Sequence, residues 1–306
     1  MNVLVTGATG FVGREIVRQL HDAGHSIHLL TRNVRSAAAR TIEWGFDSQV
    51  HSGNVLDADS LHNACGQVDA VIHLVGIISE VGDQTFENVH TRGTQNIVTA
   101  AQRVGVKRFV HMSALGTRPN AVSRYHKSKW AAEEIVRASG LDWTLFRPSI
   151  IYGPGDGFVN LFARMSRYSP ALPLIGGGHT KFQPIPVESV AQCFVKALTE
   201  PRSVGQTYDL CGEETLTLKQ IIELILAATH RRRLKFPLPF AVARIQAAAL
   251  EFLYGNLLRK PAPLNRDQLL MLKEDNVGDG QPARELFELR RVEFAREIAR
   301  YLAPQK

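Results

Sequence analysis

Tyr125 and Lys129 are four residues apart in the stretch SRYHKSKWAAEEI, residues 123–135, where the pattern predicts the start of a helix. Residues i and i+4 lie on one face of a helix, so the ammonium of Lys129 can lie close to the phenol. A nearby positive charge favours phenolate, which brings a phenol closer to a proton donor or acceptor at neutral pH. The pair is therefore a candidate proton-transfer site. Two polar residues on a solvated cationic helix, beside Lys127, are the alternative interpretation.

A second candidate site is the glycine-rich stretch TGATGFVG, residues 6–13, which follows a strand-like run and opens a helical pattern. Gly7 permits a tight turn, Gly10 lets the backbone approach a pyrophosphate, and Gly13 lets helix and strand pack closely. The free N–H groups and positive dipole end of the helix face the phosphates. Strand before and helix after predict a dinucleotide site formed by Gly7, Thr9, Gly10, Phe11, Val12 and Gly13.

The end of the second predicted strand indicates which dinucleotide is bound. An acidic residue there would hold the ribose 2′-OH of NAD, whereas a cation suits the 2′-phosphate of NADP. The sequence has Arg32 at this place and Arg35 nearby. We therefore expect NADP(H), with NAD(H) as the alternative, because an exposed Arg after a strand is also common without a function.

These residues need a scaffold in which strands and helices alternate. Short β-branched runs alternate with longer helical patterns, one of them at 35–45, and several patterns are closed by glycine. The predicted strands cover residues 2–6, 26–31, 49–53, 69–75, 108–113 and 143–147. Such alternation predicts parallel βαβ units, and hence an α/β fold with a doubly wound parallel sheet, the Rossmann fold.

The composition and the secondary-structure pattern of the sequence change after Arg147. Stretches rich in Pro and Gly follow, a strand, helix and strand pattern returns from 181, and the chain reads as mostly helical beyond 213. We predict a dinucleotide-binding domain from 1–147 with 181–212. A smaller, mostly helical substrate lobe is predicted from 148–180 with 213–306.

The order of the later motifs resembles that of the extended and atypical short-chain dehydrogenase/reductases over roughly residues 1–212. Besides the TGxxGxxG spacing, the matching stretches are GNVLDADSL (53–61), HLVG (73–76), NVHTRGTQNIV (88–98), FRPSIIYGPGD (146–156) and PIPVESVA (184–191). The resemblance implies further cofactor contacts from Asn54, Val55, Leu74, Val75, Gly76, Tyr125, Lys129, Pro148, Ser149 and Ile150. Asn54 departs from the family pattern, which usually has Asp there.

The same resemblance gives the Tyr125 and Lys129 pair a third member, because the fifth predicted strand ends in Ser113. The family presents its catalytic serine, tyrosine and lysine in this order. The resemblance implies that Ser113 polarises the substrate oxygen, that Tyr125 exchanges a proton with it, and that Lys129 also holds the nicotinamide ribose. Asn88 is a candidate fourth member. The implied reaction is hydride exchange with a small or hydrophobic alcohol or ketone, in an oxidoreductase or epimerase.

Finer details are similar to one branch of the family. SALGT at 113–117 and the helical tail resemble the branch of the NADPH-binding accessory subunit of respiratory complex I and its bacterial relatives. In that subunit the nucleotide is structural. The resemblance therefore implies an alternative function, a non-catalytic NADPH-binding scaffold or assembly subunit linked to a respiratory complex or to quinone metabolism. A redox-sensing regulator is a third hypothesis.

Positive charge is concentrated in one segment of the chain. The net charge is +7, and residues 230–260 hold seven Lys or Arg against one acid, Glu251. A basic groove with interleaved aromatics is absent from the sequence, so we expect no nucleic-acid binding. The basic cluster precedes an apolar helical pattern that could contact a membrane surface, a respiratory complex or a quinone-like substrate. A buried helix with a solvated positive flank is the alternative. We assign Glu133 and Glu134 to a solvent-facing helix surface.

The remaining expectations concern location and metal. The sequence has no apolar run of about 18 uncharged residues and no leader-like start. We expect a cytoplasmic monomer or homodimer with reduced cysteines, with peripheral membrane association as an option. No metal site is predicted, because a helix end expected at Gly24 separates His21 from His25 and His28.

Overall fold

A parallel sheet of seven strands forms the centre of the structure, a computed structural model that describes residues 1–35, 37, 44–45 and 47–303, without the side chain of 256. The strands are β1 (Asn2–Thr6), β2 (Ser26–Thr31), β3 (Gln49–Ser52), β4 (Ala70–His73), β5 (Arg108–Met112), β6 (Asp142–Pro148), β7 (Ile151–Tyr152), β8 (Ala171–Ile175), β9 (Lys181–Phe182), β10 (Ile185–Pro186), β11 (Gln206–Leu210), β12 (Leu216–Thr217) and β13 (Leu234–Leu238). The order in the large sheet is β11-β6-β5-β4-β1-β2-β3. The predicted doubly wound parallel sheet is confirmed.

The described residues form helices on both faces of this sheet and in the C-terminal part of the chain. These helices are α1 (Phe11–Asp22), α2 (Ala58–Cys65), α3 (Gly93–Val104), α4 (Arg124–Arg137), α5 (Val159–Tyr168), α6 (Val187–Ala197), α7 (Leu218–Ala228), α8 (Phe240–Glu251), α9 (Arg266–Met271), α10 (Gln281–Phe287) and α11 (Phe294–Leu302). A π-helical turn, Glu87–Arg92, leads into α3, and another, Phe252–Leu257, extends α8. The helix predicted at 35–45 lies largely outside the described residues.

The sheet is buried on both faces because its central strands are apolar at nearly every position. All of β4 and four of the five residues of β1 are buried. On one face they pack against α1 and α6 through residues such as Leu20 and Phe194. On the other face they pack against α2 and α3 through residues such as Leu61 and Ile97. Near-continuous apolar strands of this kind are typical of parallel sheets covered by helices.

A second apolar cluster lies in the C-terminal part of the chain, which is mostly helical as predicted. It joins α5, α7 and α11 through residues such as Val159, Ile221 and Ile298. Residues 230–260 also contain a strand that was not predicted, β13, which pairs in parallel with β8. Leu234, Phe236 and Leu238 alternate with other residues there, which suits a strand better than a helix. The domain boundaries remain a prediction.

Within the described part of the chain, no helix combines the length and the apolar character needed to cross a membrane.

Candidate functional site

The glycine loop connects β1 to α1 as the sequence predicts. Gly7 has a φ of 79°, in the left-handed region that favours glycine, and its carbonyl accepts a hydrogen bond from Gly10 N at 3.0 Å. A Cβ on Gly13 would lie 2.3 Å from the Gly7 oxygen and 2.7 Å from Ala8 Cα. Gly13 therefore lets helix and loop touch, the packing role expected of the third glycine.

The first turn of α1 fits a pyrophosphate. Gly10 is its N-cap residue, it is exposed, and no described side chain caps the helix there. Unbonded N–H groups and the positive end of the helix dipole are the features that bind phosphate. Among the described residues, a Cβ on Gly10 would meet only the Gly7 oxygen, at 3.2 Å, so the space next to Gly10 is open to a ligand. Thr9 lies in the same loop, partly buried.

The loop that follows β4 passes close to the glycine loop. A Cβ on Gly7 would lie 3.3 Å from backbone atoms of both Leu74 and Val75. The next residue, Gly76, is exposed, and its missing Cβ would be 3.3 Å from the Nζ atom of Lys129. The structure thus brings the predicted residues Leu74, Val75 and Gly76 together with both the glycine loop and the lysine.

Arg32 lies at the end of β2, where the adenosine ribose is expected. Its side chain is exposed, and its Nη1 atom donates to Gln84 Oε1 at 3.1 Å. Among the described residues, no carboxylate pairs with this guanidinium. The two residues next to Arg32, Thr31 and Asn33, are neutral and hydrogen-bond each other. Four of its five N–H groups therefore have no partner among the described residues and could bind an anion.

Asn54 and Val55 hold the turn after β3 in shape. The side-chain oxygen of Asn54 accepts from Leu56 N at 3.1 Å, and its carbonyl accepts from Asp57 N at 2.9 Å. Val55 is buried, and its carbonyl accepts from the side chain of Asn96. These contacts are internal, so an adenine contact from either residue remains a prediction.

Two further groups of predicted cofactor residues are tied into the protein. Phe11 and Val12 pack in the core cluster with α6. The hydroxyl of Ser149 donates to Asn276 Oδ1 at 2.6 Å, while the carbonyls of the two residues flanking it accept backbone N–H groups at 2.9 Å. The flanking residues are Pro148 and Ile150. Contact of this segment with a nicotinamide stays a prediction.

Lys129 is buried at the centre of the candidate site. Its Nζ atom donates to Met112 O at 3.0 Å, at the end of β5 and next to Ser113. Burial lowers the pKa of Lys129 to about 8, while Glu133 opposes this shift. The ammonium still carries most of its charge at neutral pH, so it can act as a cation beside the loop after β4.

Tyr125 and Ser113 occupy the same region but do not match every expectation. No described residue hydrogen-bonds the hydroxyl of Tyr125, and the Ser113 hydroxyl donates to Thr117 Oγ1 at 3.4 Å. Burial raises the pKa of Tyr125 to about 12, opposite to the lowering expected from Lys129. Burial is the cause because desolvation disfavours the phenolate, so the phenol is protonated throughout the neutral range. Asn88, the candidate fourth member, donates its amide to Asp83 O.

His90, which sequence reasoning did not single out, fixes the first turns of α4. Its Nε2 atom accepts from Ile77 N at 3.0 Å, so its Nδ1 atom carries the proton and donates to Ser128 Oγ at 2.8 Å. Ser128 in turn donates to Tyr125 O. The ring of His90 packs edge-on against that of Tyr125, with centroids 5.4 Å apart. Burial lowers the pKa of His90 to about 2, so it acts as a neutral positioning residue.

Glu133 was wrongly assigned to a solvent-facing surface. Its side chain is fully buried, and it accepts two hydrogen bonds from Arg147, at 2.8 and 2.6 Å, and one from Arg137. It is four residues from Lys129 on the same face of α4, and that face packs against β6. Glu134, in contrast, is 54% exposed and pairs only with Arg137. The i+4 spacing from Lys129 could have signalled the buried position of Glu133.

Replacing Glu133 with Gln is expected to destabilise the protein by about 3 kcal/mol, because it removes the carboxylate that accepts two hydrogen bonds from the partly buried Arg147. The matched change Glu134→Gln should cost less than about 0.5 kcal/mol, as exposed ion pairs do. Urea unfolding of both variants measures the difference. Equal midpoints for the two variants would show that the buried network does not hold α4 against the sheet.

The C-terminal part of the chain closes over the start of α4. Asp267, on α9, accepts from Arg124 N at 2.8 Å and from Tyr125 N at 2.9 Å. A cavity of about 900 Å³ opens beside this contact, lined by the 79–86 loop on one side and by residues of 240–273 on the other. Tyr125 adjoins it through Phe86, whose ring centroid is 5.8 Å away. No sequence motif indicated the second wall of this cavity.

The cavity combines apolar side chains with unpaired positive charge. Apolar lining comes from residues that include Phe86, Phe240 and Leu269. Among the charged lining residues, Glu80 pairs with Arg124 and Glu251 pairs with Arg266. Arg244 and Lys273 have no acidic partner among the described residues, although the Lys273 ammonium lies over the Phe240 ring. The cavity therefore suits a ligand with an apolar part and an electron-rich or anionic part.

The fold and the glycine loop agree with a comparison against known families. The model of the NAD dependent epimerase/dehydratase family matches residues 3–211, more than half of the chain. The chain belongs to this family. The predicted membership of the extended short-chain dehydrogenase/reductase group is confirmed.

Relatives of this family member place it near the predicted branch. The mitochondrial NADH dehydrogenase [ubiquinone] 1 alpha subcomplex subunit 9 of Arabidopsis thaliana is 31% identical over 89% of the chain and 70% of its own length. The mouse protein of the same name is 32% identical over 78% of the chain, but only 64% of the mouse protein is covered. The photosystem II assembly factor Ycf39 of Synechocystis is 27% identical, over 82% of the chain and 75% of that protein.

Solved structures of the family share the same fold. The UDP-N-acetylglucosamine 4-epimerase of Bacillus cereus superposes with a TM-score of 0.71 over 99% of this chain and 98% of that one. The sequence identity is 20%, so the likeness concerns the fold alone.

Proposed function

We propose that this family member binds NADP(H) and exchanges hydride with a small or hydrophobic alcohol or ketone, as an oxidoreductase or epimerase. The observation that carries the proposal is the position of Lys129, which is buried between Met112 O and Gly76, one turn of helix after Tyr125. The glycine loop, the loop after β4 and the start of α4 all meet at this point. In this proposal the cofactor and the reacting groups share this location.

The residues have distinct roles in this proposal. The glycine loop and the first turn of α1 hold the pyrophosphate, and Lys129 holds the nicotinamide ribose. The nicotinamide supplies or accepts the hydride when bound. Tyr125, protonated at neutral pH, donates its proton to the carbonyl oxygen during reduction, and Ser113 hydrogen-bonds the same oxygen after its hydroxyl leaves Thr117.

The cavity supports a substrate with an apolar body. Phe86 and Leu269 contribute apolar surface, while Arg244 and Lys273 can attract carbonyl or anionic oxygens. A quinone or a long-chain ketone has this combination of groups. We include both in the proposed substrate class.

Incubation of the purified protein with its bound nucleotide tests the proposal. The nucleotide is first identified by mass spectrometry and nicotinamide fluorescence. Loss of NADPH absorbance is then followed with quinones and ketones of increasing chain length. Consumption of NADPH with matching formation of the alcohol or quinol supports the enzyme hypothesis. If NADPH persists with every acceptor, the enzyme hypothesis is rejected.

Replacing Arg32 with Asp is expected to weaken NADPH binding by about 10- to 100-fold and to strengthen NADH binding, since charge-assisted hydrogen bonds are worth about 1.5–3 kcal/mol. The available N–H groups of Arg32 support this choice of cofactor. Fluorescence titration with both nucleotides measures the change. Arg103→Asp, an equal change of charge at an exposed position in the last turn of α3, should alter the ratio far less. An unchanged ratio in the Arg32 variant contradicts the preference for NADP(H).

A second candidate function is a non-catalytic NADPH-binding scaffold or assembly subunit. The Ser113 hydroxyl donates to Thr117 in the resting arrangement, so it would have to leave this partner before it could contact a substrate oxygen. Relatives whose names denote a respiratory-complex subunit and an assembly factor support this alternative. A scaffold role would place the chain in contact with a respiratory complex. Its test is the stability of the protein with and without NADPH in the absence of any acceptor.

A further inference from the structure

The outward side of α8 and its π-helical extension is apolar. Ile245 is 73% exposed, Phe252 is 70% exposed and Leu257 is 74% exposed. Three further exposed side chains complete this surface, which we call the outer face: Val242, Leu253 and Leu258. Val242, Ile245 and Phe252 follow helical spacing, so they form a continuous stripe along the helix.

Packing among the residues that the structure describes does not account for the outer face. The opposite side of α8 already contacts the protein through Ala243 and Ala247, which pack against Leu269. The helix is therefore apolar on both sides, a pattern found where both sides are covered. Large exposed apolar surfaces of this kind mark sites of contact with another body.

Exposed cations lie on both sides of the outer face along the chain. Arg232 precedes it, and Arg259 and Lys260 follow it; all three are exposed, and none has an acidic partner among the described residues. The one acid in this segment, Glu251, is already paired with Arg266. An apolar helical stripe bordered by Lys and Arg is the pattern of helices that lie in the surface of an anionic membrane. The cores of protein interfaces, in contrast, are depleted of lysine.

We propose that the outer face docks on an anionic phospholipid bilayer, with Ile245, Phe252 and Leu257 at the level of the acyl chains and Arg232, Arg259 and Lys260 against the headgroup phosphates. The helix lies parallel to the membrane plane. This proposal does not depend on nucleotide binding or on turnover.

Flotation of the full chain with vesicles tests the proposal. Binding is expected with vesicles of phosphatidylcholine mixed with phosphatidylglycerol, and it should weaken with added salt and with phosphatidylcholine alone. The double change Ile245→Glu with Phe252→Glu should lower the bound fraction at least about tenfold. Val122→Glu with Val204→Glu, two exposed apolar residues elsewhere, should bind like the unchanged protein.

A second pair of matched variants tests the contribution of the cations to vesicle binding. Arg232→Glu with Lys260→Glu should remove the preference for phosphatidylglycerol, while Arg103→Glu with Lys107→Glu, exposed cations at the end of α3, should retain it. Absence of vesicle binding by the unchanged protein overturns the proposal. A dimer that the Ile245 and Phe252 changes dissociate also overturns it, because the outer face would then bind a second copy.

A fluorescence measurement tests the proposal even if the glutamate variants do not fold. The three natural cysteines are buried, so a cysteine placed at Phe252 can be labelled selectively with an environment-sensitive dye. Its emission should shift to shorter wavelength with the mixed vesicles, and the same dye at Val122 should not shift. Equal behaviour at the two positions overturns the proposal.

Discussion

Replacing Tyr125 with Phe is expected to reduce turnover by about 100-fold or more and to leave nucleotide affinity nearly unchanged. The change removes only a hydroxyl, while the ring keeps its edge-on contacts with Phe86 and His90. No described residue hydrogen-bonds that hydroxyl, so its removal leaves no buried partner unsatisfied. Stability should therefore stay within about 0.5 kcal/mol. NADPH absorbance measures turnover, and nicotinamide fluorescence measures affinity.

The protonation state of Tyr125 gives this prediction a direction. Burial raises the pKa of the phenol to about 12, so it is protonated across the neutral range. A protonated phenol can donate its proton directly to a carbonyl oxygen, whereas oxidation of an alcohol requires the phenol to lose its proton first. We therefore expect the hydroxyl to contribute to carbonyl reduction, with little dependence on pH between about 6 and 8.

The control for this variant is Tyr168→Phe. Tyr168 is 77% exposed at the end of α5, and the same hydroxyl is lost there at a surface position. Turnover of the control should match that of the unchanged protein. If Tyr125→Phe also retains full turnover, the proton passes through another group. If the unchanged protein has no turnover while it retains NADPH, the scaffold hypothesis replaces the enzyme hypothesis.

The parts of the site that sequence predicts well are those set by local rules. Short apolar runs between helical patterns located β1 and β2 to the residue. The glycine loop was predictable because each of its glycines has a known structural role: a tight turn, a close approach of the backbone to the phosphate, or close packing of helix and strand. These roles recur wherever a phosphate binds between a strand and the helix that follows it. The order of the later motifs then indicated the resemblance to the family.

The parts that sequence predicted poorly depend on contacts between distant segments. Glu133 looked like a surface acid, and only its packing against β6 shows that Arg147, fourteen residues away, neutralises it. The pKa of Tyr125 depends on how deeply α4 is buried, which spacing does not reveal. The cavity wall formed by 240–273 carries no motif, because an apolar and cationic lining can be built from many sequences.

Substituting valine at Gly13 and at Gly10 is expected to separate packing from nucleotide binding. Valine at Gly13 should destabilise the free protein by about 3 kcal/mol or more, because its Cβ would lie 2.3 Å from the Gly7 oxygen and the loop backbone must move. Valine at Gly10 should change stability by less than about 1 kcal/mol. Its backbone has a φ of −76°, which valine adopts readily, and its Cβ has a single close contact at 3.2 Å.

Nucleotide binding should respond in a different way from stability. Valine at Gly10 places a branched side chain in front of the first turn of α1, so affinity for NADPH should fall by about 100-fold, equivalent to about 3 kcal/mol. Thermal unfolding with and without NADPH measures both effects, and Gly157→Val, with open space around the added Cβ, is the control. Both functional hypotheses require this site. If the Gly10 variant is stabilised by NADPH as strongly as the unchanged protein, the pyrophosphate does not lie on this helix. That result contradicts both the enzyme hypothesis and the scaffold hypothesis.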